Sequence, residues 1–363
     1  MNPVEAFFSR GRLLTPEALR YLENKNIESF LADNYDLIVD IEDLMAREDK
    51  VRILKNITEK KTEVTTADIV KFYNSKYEKM KNIIVSRLQK DFVSINKLDD
   101  YSKDAFVIGI VRDKKDAQGR IEMDIEDSTG SITATLDAKE GSEIEPDDVI
   151  AIQGSCSGKT LIGKAVLYPD MPLRQPNTGS GRICFISGLY LNEAPAQDFE
   201  SFLRWFEGQE TRYLFVAGSV GDKGLFESMM EKYCSNKKVF VAADEEGGLP
   251  NLPVKFSLRS IISLSNPSMV EVNGIKILMM DNFRVRMLKM RHLGNIKPVL
   301  ADDPMILDEL PDIVHYDNPQ AAITNYRSTT ILQTGSLLTE FRPVIADLAT
   351  RECRQLEAKD WNA

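Results

Sequence analysis

The sequence predicts an α+β protein of several domains: a helical N-terminal region, a five-stranded barrel and an α/β domain of layered mixed sheets. Apolar residues recur at helical spacing before residue 100, five short β-rich runs follow, and strands then alternate with helices. The chain has 363 residues, of which 43% are hydrophobic, and can therefore bury more than one core. We place the domains at residues 1–100, 104–172 and 180–363.

The N-terminal region carries two helix start signals. Thr15 precedes Pro16, which is typical of an N-cap followed by proline at the first helical position, and Thr65 and Asp68 have the spacing of a capping box. Apolar residues then keep helical spacing for several turns, which predicts one long amphipathic helix. Residues 51–90 hold ten Lys or Arg against four Asp or Glu, and we favour a solvated basic face over a DNA contact.

Five β-rich runs separated by turn signals predict the barrel, which we assign to the OB type. Barrels of this type that bind single strands use a positive groove and aromatic residues on which bases stack. Residues 104–170 instead hold fourteen acidic and seven basic residues, and their only aromatic residues are Phe106 and Tyr168. We therefore favour a barrel that docks another protein over one that binds nucleic acid.

The α/β domain follows a polar segment, 175–182, which indicates a linker or exposed loop. Short apolar runs typical of buried strands alternate with a helix at 195–207, and Asn273-Gly274 predicts a two-residue hairpin. Loops at the ends of such strands are where ligands commonly bind. The first three strand candidates lie at 183–187, 213–218 and 238–243.

Composition excludes several other classes of protein. No run approaches the ~20 apolar residues of a membrane span, and residues 1–12 lack the pattern of a signal peptide, so we expect a cytoplasmic protein without a membrane partner. A net charge of −10 argues against a surface that binds nucleic acid nonspecifically. The cysteines lie far apart without Cys-x-x-Cys spacing, which indicates reduced thiols: Cys156, Cys184, Cys234 and Cys353.

Short motifs follow one another along the chain; in one-letter code they are FYNSKYEK (72–79), IGIV (108–111), EDSTG (126–130), FIS (185–187), VAG (216–218), NPS (266–268), GIKIL (274–278), MLKMRHL (287–293) and PDIVH (311–315). In these motifs and their order, from about residue 62 to residue 350, the chain resembles the small subunit of the archaeal family D DNA polymerase. That family is related to the non-catalytic B-subunits of eukaryotic replicative polymerases. The resemblance implies that the third domain is of the calcineurin-like phosphoesterase type.

The resemblance also implies a phosphoesterase site whose metal ligands have been replaced. Gly188 and Tyr190 stand where the family has an Asp and a His, and Ser219 stands where it has the Asp that bridges two metal ions. The other replaced positions are Asp244, Glu245 and Glu246 at an Asn-His-Asp motif, Asp281 at a ligand His, and Asp317-Asn318-Pro319-Gln320 at Gly-His-x-His, so that Asn318 and Gln320 replace histidines. We expect no catalytic residues, no bound metal and no cofactor.

Two clusters of charged residues allow more than one interpretation. Five carboxylates, those of residues 244, 245, 246, 281 and 317, would converge near one pocket and could hold Mg²⁺ or Ca²⁺, but we favour a solvated acidic rim. A basic stripe could touch a DNA backbone or an acidic partner, and a plain solvated face is an equal alternative. The stripe comprises Arg284, Arg286, Lys289, Arg291 and Lys297.

The resemblance therefore implies a non-catalytic accessory subunit, or a paralogue of the small subunit, that scaffolds a polymerase large chain during DNA replication. The expected partner is the DNA polymerase D large subunit or a related replication protein, with DNA reached through the complex. Two alternatives belong to other classes. One is a metal-dependent phosphodiesterase or 3′-5′ exonuclease with an altered carboxylate site, and the other is a freestanding DNA-binding accessory protein.

Overall fold

The computed structural model describes residues 2–23, 27–31, 36–41, 44, 50–61, 63–117, 119–243, 249–297, 300 and 302–362. The helices are α1 (Pro3–Phe8), α2 (Pro16–Leu22), α3 (Glu28–Leu31), α4 (Thr66–Leu88), α5 (Ala138–Gly141), α6 (Ala196–Glu207), α7 (Lys223–Tyr233), α8 (Val285–Met290) and α9 (Ala358–Trp361). The strands are β1 (Leu13–Leu14), β2 (Ile38–Val39), β3 (Val51–Lys55), β4 (Ala105–Ala117), β5 (Arg120–Asp127), β6 (Gly130–Asp137), β7 (Val149–Ser157), β8 (Thr160–Leu167), β9 (Arg182–Ser187), β10 (Tyr213–Ala217), β11 (Lys238–Ala242), β12 (Ile261–Leu264), β13 (Ser268–Val272), β14 (Ile275–Met279), β15 (Ile313–Tyr316), β16 (Ala322–Tyr326), β17 (Thr329–Gln333), β18 (Val344–Asp347) and β19 (Cys353–Gln355).

The predicted barrel is closed by five strands in the order β4-β5-β6-β8-β7. Strands β6 and β8 pair in parallel, whereas the other pairs are antiparallel. Successive residues of a strand face opposite sides of a sheet, so Ile121, Met123 and Ile125 of β5 point into the barrel while the residues between them are exposed. This alternation fills the small barrel with its own side chains.

Two six-stranded sheets pack face to face beyond the barrel, and we call this pair the sandwich. Sheet I has the order β12-β11-β10-β9-β18-β19 and sheet II the order β16-β17-β15-β14-β13-β3. Wholly buried aromatic and aliphatic side chains fill the space between them, among them Phe185, Phe215 and Phe240 of sheet I and Ile277 and Leu332 of sheet II. The layered mixed-sheet class predicted from the sequence is confirmed.

Helices and a loop cover the outer faces of the sandwich. On sheet I, α6 and α7 bury Phe199, Phe202 and Phe226 in one aromatic cluster. On sheet II, α8 and the segment that follows it contribute Leu288 and Met305. Strands β9, β10 and β11 are thereby buried on both faces, which explains their short continuous apolar runs.

The capping box predicted at Thr65 and Asp68 begins α4. The Thr65 hydroxyl accepts from the Asp68 N–H (3.2 Å), and the Asp68 carboxylate accepts from the Thr65 N–H (3.0 Å). The buried face of α4 places Met80 and Ile84 against apolar barrel residues, and Ile306 joins the same cluster from the sandwich side. Helix α4 therefore contacts both other parts of the protein.

Two features depart from the sequence analysis. Residues 51–55 form strand β3, which pairs antiparallel with β13 at the edge of sheet II instead of belonging to a purely helical region. The polar segment 175–182 has no regular structure over most of its length but is fixed to the sandwich: Gly179 N donates to Leu348 O (2.8 Å), and Asn273 Nδ2 donates to Ser180 O (2.9 Å). The domain limits at 1–100, 104–172 and 180–363 stay predictions.

Among the described helices, none has the length and apolar character needed to cross a membrane.

Candidate functional site

Loops that follow β9, β10, β14, β15 and β17 enclose a cavity of about 380 Å³ at one edge of the sandwich, which we call the remnant pocket. The structure places Tyr190, Ser219, Asp281 and Asp317 around this pocket, and Asn318 and Gln320 follow on the same loop as Asp317. Asp244, Glu245 and Glu246 lie outside the described residues. The lining comprises Tyr190, Gly218, Ser219, Asp281, Asn282, Asp317, Pro319 and Ser336.

The carboxylate of Asp317 lies against two glycines. A Cβ atom on Gly188 would lie 2.7 Å from Asp317 Oδ1, and a Cβ atom on Gly218 would lie 2.7 Å from Asp317 Oδ2. Both glycines have positive φ, 55° and 76°, in the left-handed region that other residues rarely adopt. The carboxylate can occupy this position because neither neighbour carries a side chain.

This contact connects two of the substitutions that the resemblance implies, those at positions 188 and 317. At position 188 this chain has Gly in place of the family's Asp, and at position 317 it has Asp in place of the family's Gly. The Asp317 carboxylate lies where a side chain on Gly188 would begin. A carboxylate is thus present, but it is supplied from the opposite loop and fills the space beside Gly188.

Tyr190 closes the pocket over this carboxylate. Its hydroxyl donates to Asp317 Oδ2 (3.2 Å), and its backbone has a φ of 43°. Hydrogen bonds to the neighbouring loop hold that backbone, since Leu189 N donates to Ser219 O (2.8 Å). The Ser219 hydroxyl itself accepts from Gly221 N (3.2 Å), which ties it to its own turn.

Asp281 is buried and paired with an amide. Asn266 Nδ2 donates to Asp281 Oδ2 (2.8 Å), and Asp281 N donates to Asn266 Oδ1 (3.1 Å). This reciprocal pair fixes the loop after β14 to the loop before β13. The carboxylate of Asp281 is therefore not part of a fully solvated acidic rim, which corrects the expectation for this position.

His315 lies inside the sandwich, as expected, and is neutral. A chain of hydrogen bonds runs from His315 Nε2 to Thr334 Oγ1 (3.1 Å), on to Ser187 Oγ (2.7 Å) and to the carbonyl of Gly335 (2.7 Å). The carbonyl can only accept, so both hydroxyls donate toward it and His315 Nε2 carries the proton. Burial lowers the pKa of His315 to about 3, which rules it out as an acid or base near neutral pH.

The described pocket does not fit a pair of metal ions. Within the described ranges, no three His, Cys, Asp or Glu side chains come together as a metal site. Two-metal hydrolysis needs a carboxylate that bridges the ions, and Ser219 offers only a hydroxyl there. Asp317 also fills the space against Gly188 and Gly218. Neither of the two histidines lines the described pocket.

Part of the basic stripe faces the barrel instead of solvent, DNA or a partner. Three of its cations form ion pairs with an acidic barrel loop. Of these ion pairs, Arg286–Asp148 is the buried one. Arg291 is buried and donates to the carbonyl oxygens of Leu307 and Asp308. Lys297 is exposed. The pairs are Arg284–Glu145 (3.3 Å), Arg286–Glu145 (3.4 Å), Arg286–Asp148 and Lys289–Glu143.

A buried ion network joins α4 to the sandwich, and the sequence analysis missed it. His292 Nε2 lies 2.8 Å from Asp303 Oδ2, while Lys76 Nζ lies 3.6 Å from the same oxygen and donates to Asn295 Oδ1 (2.8 Å). Gly294 N donates to His292 Nδ1 (3.3 Å), so the proton of this histidine is on Nε2. Burial lowers the pKa of His292, and of Lys76 as well.

A signal for this network was present in the sequence. Phe72, Lys76 and Met80 follow one another at four-residue spacing, which places a lysine on the apolar face of α4. A cation on such a face needs a buried anion, and the partner is Asp303.

The closed five-stranded barrel and the sandwich of two mixed sheets define the class of this protein: an α+β chain with a barrel and a layered mixed-sheet domain. In sequence, the chain is similar to archaeal proteins named DNA polymerase II small subunit. The protein of that name from Methanothermobacter thermautotrophicus is 21% identical over 76% of this chain and 74% of its own, and that from Archaeoglobus fulgidus is 22% identical over 76% and 71%. For Pyrococcus furiosus the identity is 22% over 78% of this chain and 60% of that protein.

Family models and solved structures give weaker similarities than the sequence relatives do. No protein-family model matches the chain. Among solved structures, Vps29 from Chaetomium thermophilum aligns with a TM-score of 0.29 and 13% identity, covering 46% of this chain and 81% of its own. Vacuolar protein sorting 29 from Cryptosporidium parvum gives 0.28 and 13%, covering 50% and 97%. The fold is therefore defined by the strand order and the cores of this chain.

Proposed function

We propose that this chain is a non-catalytic accessory subunit in DNA replication, which binds a polymerase large chain and holds it in shape. The observation that carries the proposal is the similarity over 76% of the chain to proteins named DNA polymerase II small subunits. The partner is then the DNA polymerase D large subunit or a related replication protein. DNA is reached through the complex.

The arrangement of the barrel and the sandwich supports a scaffolding role. Ion pairs between α8 and the barrel loop, together with the buried network on α4, fix the two parts to each other. A large chain would therefore meet one rigid surface, which lowers the entropic cost of binding. An obligate pair of this kind buries on the order of 2,000 Å² or more.

The remnant pocket supports the non-catalytic part of the proposal. Its bridging position is Ser219, and the Asp317 carboxylate occupies space beside Gly188. The sequence-based expectation that Gly188, Tyr190, Ser219, Asn318 and Gln320 are degenerate metal positions stays a prediction of this proposal.

Co-expression with the DNA polymerase II large chain of the same organism tests the proposal. We expect a complex that survives affinity purification and gel filtration, and we expect the purified chain alone to show no 3′-5′ exonuclease activity with Mn²⁺ or Mg²⁺. Elution of the large chain without this protein would refute the scaffolding role. Metal-dependent turnover that disappears in Asp281→Ala would instead establish the alternative of an altered phosphodiesterase.

A further inference from the structure

The outer side of α4 carries a second stripe of residues, opposite the buried face that holds Phe72 and Met80. Its members recur at alternating spacings of three and four residues, so they lie along one side of the helix. A stripe with this spacing is the surface on which a second helix packs. All members are exposed except Lys81, which is half-buried; we call Ala67, Lys71, Asn74, Glu78, Lys81 and Val85 the outer stripe.

A groove of about 740 Å³ runs along the first turns of the outer stripe, beside the loop that holds Asp302. Ala67 and Val70 give the groove apolar surface, and Val70 is 55% exposed. Removing such surface from water favours association. A groove along a helix is also a common seat for another helix, whose side chains enter it three and four residues apart.

The charges of the outer stripe complement themselves. Lys71 and Glu78 are both exposed and lie seven residues apart, which is about two turns. In an antiparallel pair of α4 helices with the two-fold axis between Asn74 and Ser75, Lys71 of each copy faces Glu78 of the other. Two ion pairs then form, one on each side of the axis. In a parallel pair, Lys71 would face Lys71 and Glu78 would face Glu78, and both contacts would be repulsive.

The same antiparallel register matches two exposed valines. Val85 lies near the end of α4, and Val64 lies immediately before its N-cap, Thr65. Val64 is 38% exposed and Val85 is 40% exposed. Positions 64 and 85 are centred on the same point of the chain as positions 71 and 78, so Val64 of one copy lies opposite Val85 of the other. One register therefore satisfies the charged and the apolar residues together.

The lysines beside the outer stripe are largely neutralised within the chain. Lys71 is the exception, since no ion pair among the described residues involves it. A phosphate backbone would find few free cations along this side of α4, which makes nucleic acid the poorer occupant. The pairs are Lys61–Asp68, Lys79–Asp302 (3.4 Å) and Lys81–Glu78 (3.6 Å).

We propose that α4 is a self-association surface: two copies of this chain pair antiparallel through their outer stripes, with reciprocal Lys71–Glu78 ion pairs. Only copies of this chain take part, so the inference does not depend on the proposed function. The 23-residue helix is about 34 Å long, and the contact joins one face of each copy. Small interfaces of this kind, below about 1,200 Å² of buried surface, associate weakly and transiently. The dimer therefore dissociates on dilution.

Charge reversal tests the ion pairs. Lys71→Glu and Glu78→Lys each place like charges opposite one another at both contacts, whereas Lys97→Glu makes the first of these changes at an exposed position outside α4. Sedimentation velocity over a range of protein concentrations gives the dissociation constant of each dimer. We expect the two α4 variants to associate about tenfold more weakly than the wild type, and Lys97→Glu to match it. A wild-type protein that stays monomeric at every concentration, or equal constants for all variants, would overturn the proposal.

Mixing the two α4 variants shows whether the charges meet each other. A copy with Lys71→Glu and a copy with Glu78→Lys carry opposite charges at both contacts, so the mixture should associate although each variant alone does not. The doubly substituted chain Lys71→Glu/Glu78→Lys reverses both ion pairs and should self-associate as the wild type does. Circular dichroism melting confirms that each variant is folded. Failure of both the mixture and the double variant to associate would contradict the reciprocal pairing.

Cysteine crosslinking tests the register. Asn74→Cys places a thiol beside the two-fold axis, whereas Asn82→Cys places one on the same exposed side, about 22 Å along the helix axis from its symmetry mate. With diamide as oxidant, we expect a disulfide-linked dimer from Asn74→Cys only. The wild type gives the background, since three of its cysteines are buried and Cys353 is half-buried. Crosslinking of both variants would indicate parallel helices, and crosslinking of neither would show that the outer stripes do not meet; each result would overturn the proposal.

Discussion

The remnant pocket and the buried ion network on α4 are both built from charged side chains, but they differ in what surrounds the charge. In the pocket, Asp317 lies beside an open cavity and accepts from the Tyr190 hydroxyl. In the network, Asp303 is 4% exposed and serves both His292 and Lys76 away from water. The difference shows that the charges that stabilise the architecture are those buried between α4 and the sandwich, not those beside the open cavity.

The largest expected effect is at the buried network. Asp303→Ala leaves Lys76 buried with its nearest anion removed and takes the acceptor from His292 Nε2–H. We expect the free energy of unfolding to fall by about 3–5 kcal/mol, as measured by urea denaturation. Burial tends to raise the pKa of Asp303, but His292 and Lys76 outweigh it, so the carboxyl is ionised at neutral pH and the loss is that of a charged partner.

The neighbouring residue provides a matched control. Asp302 has a side chain that is 61% exposed and pairs with Lys79 at the surface (3.4 Å). Asp302→Ala should change stability by less than about 1 kcal/mol, because exposed ion pairs contribute little. Similar losses in the two variants would mean that burial does not set the strength of this network.

The pH dependence of the barrel contact is the next largest effect. Burial raises the pKa of Asp148 to about 6, although Arg286 opposes the shift; Glu145 and Lys76 also face this carboxyl. The folded protein therefore holds the proton more tightly than the unfolded chain. The resulting stabilisation is complete below about pH 4 and is lost as the pH rises through about 6.

Asp148→Asn cannot titrate and serves as the reference. Between pH 4 and pH 7, we expect the free energy of unfolding of the wild type to fall relative to that of Asp148→Asn by on the order of 2–3 kcal/mol. Parallel urea titrations at each pH measure the difference. A constant difference across this range would show that folding does not raise the pKa of Asp148.

A smaller effect is expected in the remnant pocket, where sterics dominate. Gly188→Asp restores the family's residue but places a side chain within 2.7 Å of Asp317 Oδ1, beside a like charge and with a φ of 55°. We expect it to destabilise the protein by about 2 kcal/mol. Combining it with Asp317→Gly should recover only the part of that loss that comes from the carboxylate, because the new Cβ also lies 2.6 Å from Ser336 Cβ and the φ of 55° remains.

A double-mutant cycle measures this coupling. Additive losses in the double variant would show that Gly188 and Asp317 do not compensate each other. A matched control is Gly119→Asp, which meets no atom within 4 Å and has a φ of 86°. It carries the backbone cost without the contact, and Asp317→Gly should leave that cost unchanged.

Much of the fold could be predicted from the sequence because its signals are local. The Thr65–Asp68 capping box, the alternation along β5 and the short apolar runs of β9 to β11 each follow from the spacing of a few residues. Strand β3 could not be predicted in this way. Its pairing with β13 joins residues about two hundred positions apart, and no local pattern specifies it.

The candidate site, too, could be predicted from the sequence only in part. The resemblance implied that Tyr190, Ser219 and Asp281 stand at one site, and all three line the remnant pocket. It did not indicate that Asp317 would lie against Gly188, because that contact is possible only where Gly188 and Gly218 both lack a side chain. The basic stripe shows a related limit: charge on a helix does not reveal which surface covers it, and three of the five cations pair with the barrel loop.

The smallest expected effect concerns the hydrogen-bond chain between the two sheets. Thr334→Val keeps the shape of the side chain but removes the acceptor of His315 Nε2–H. The neutral imidazole then has a buried donor without its partner, which costs about 1 kcal/mol. Thr324→Val on the exposed face of β16 is the control and should change stability by less than about 0.5 kcal/mol. Both values come from urea denaturation at pH 7, where His315 is neutral. A loss in Thr334→Val no larger than in the control would mean that His315 finds another acceptor, and the directed chain toward Gly335 would then be wrong.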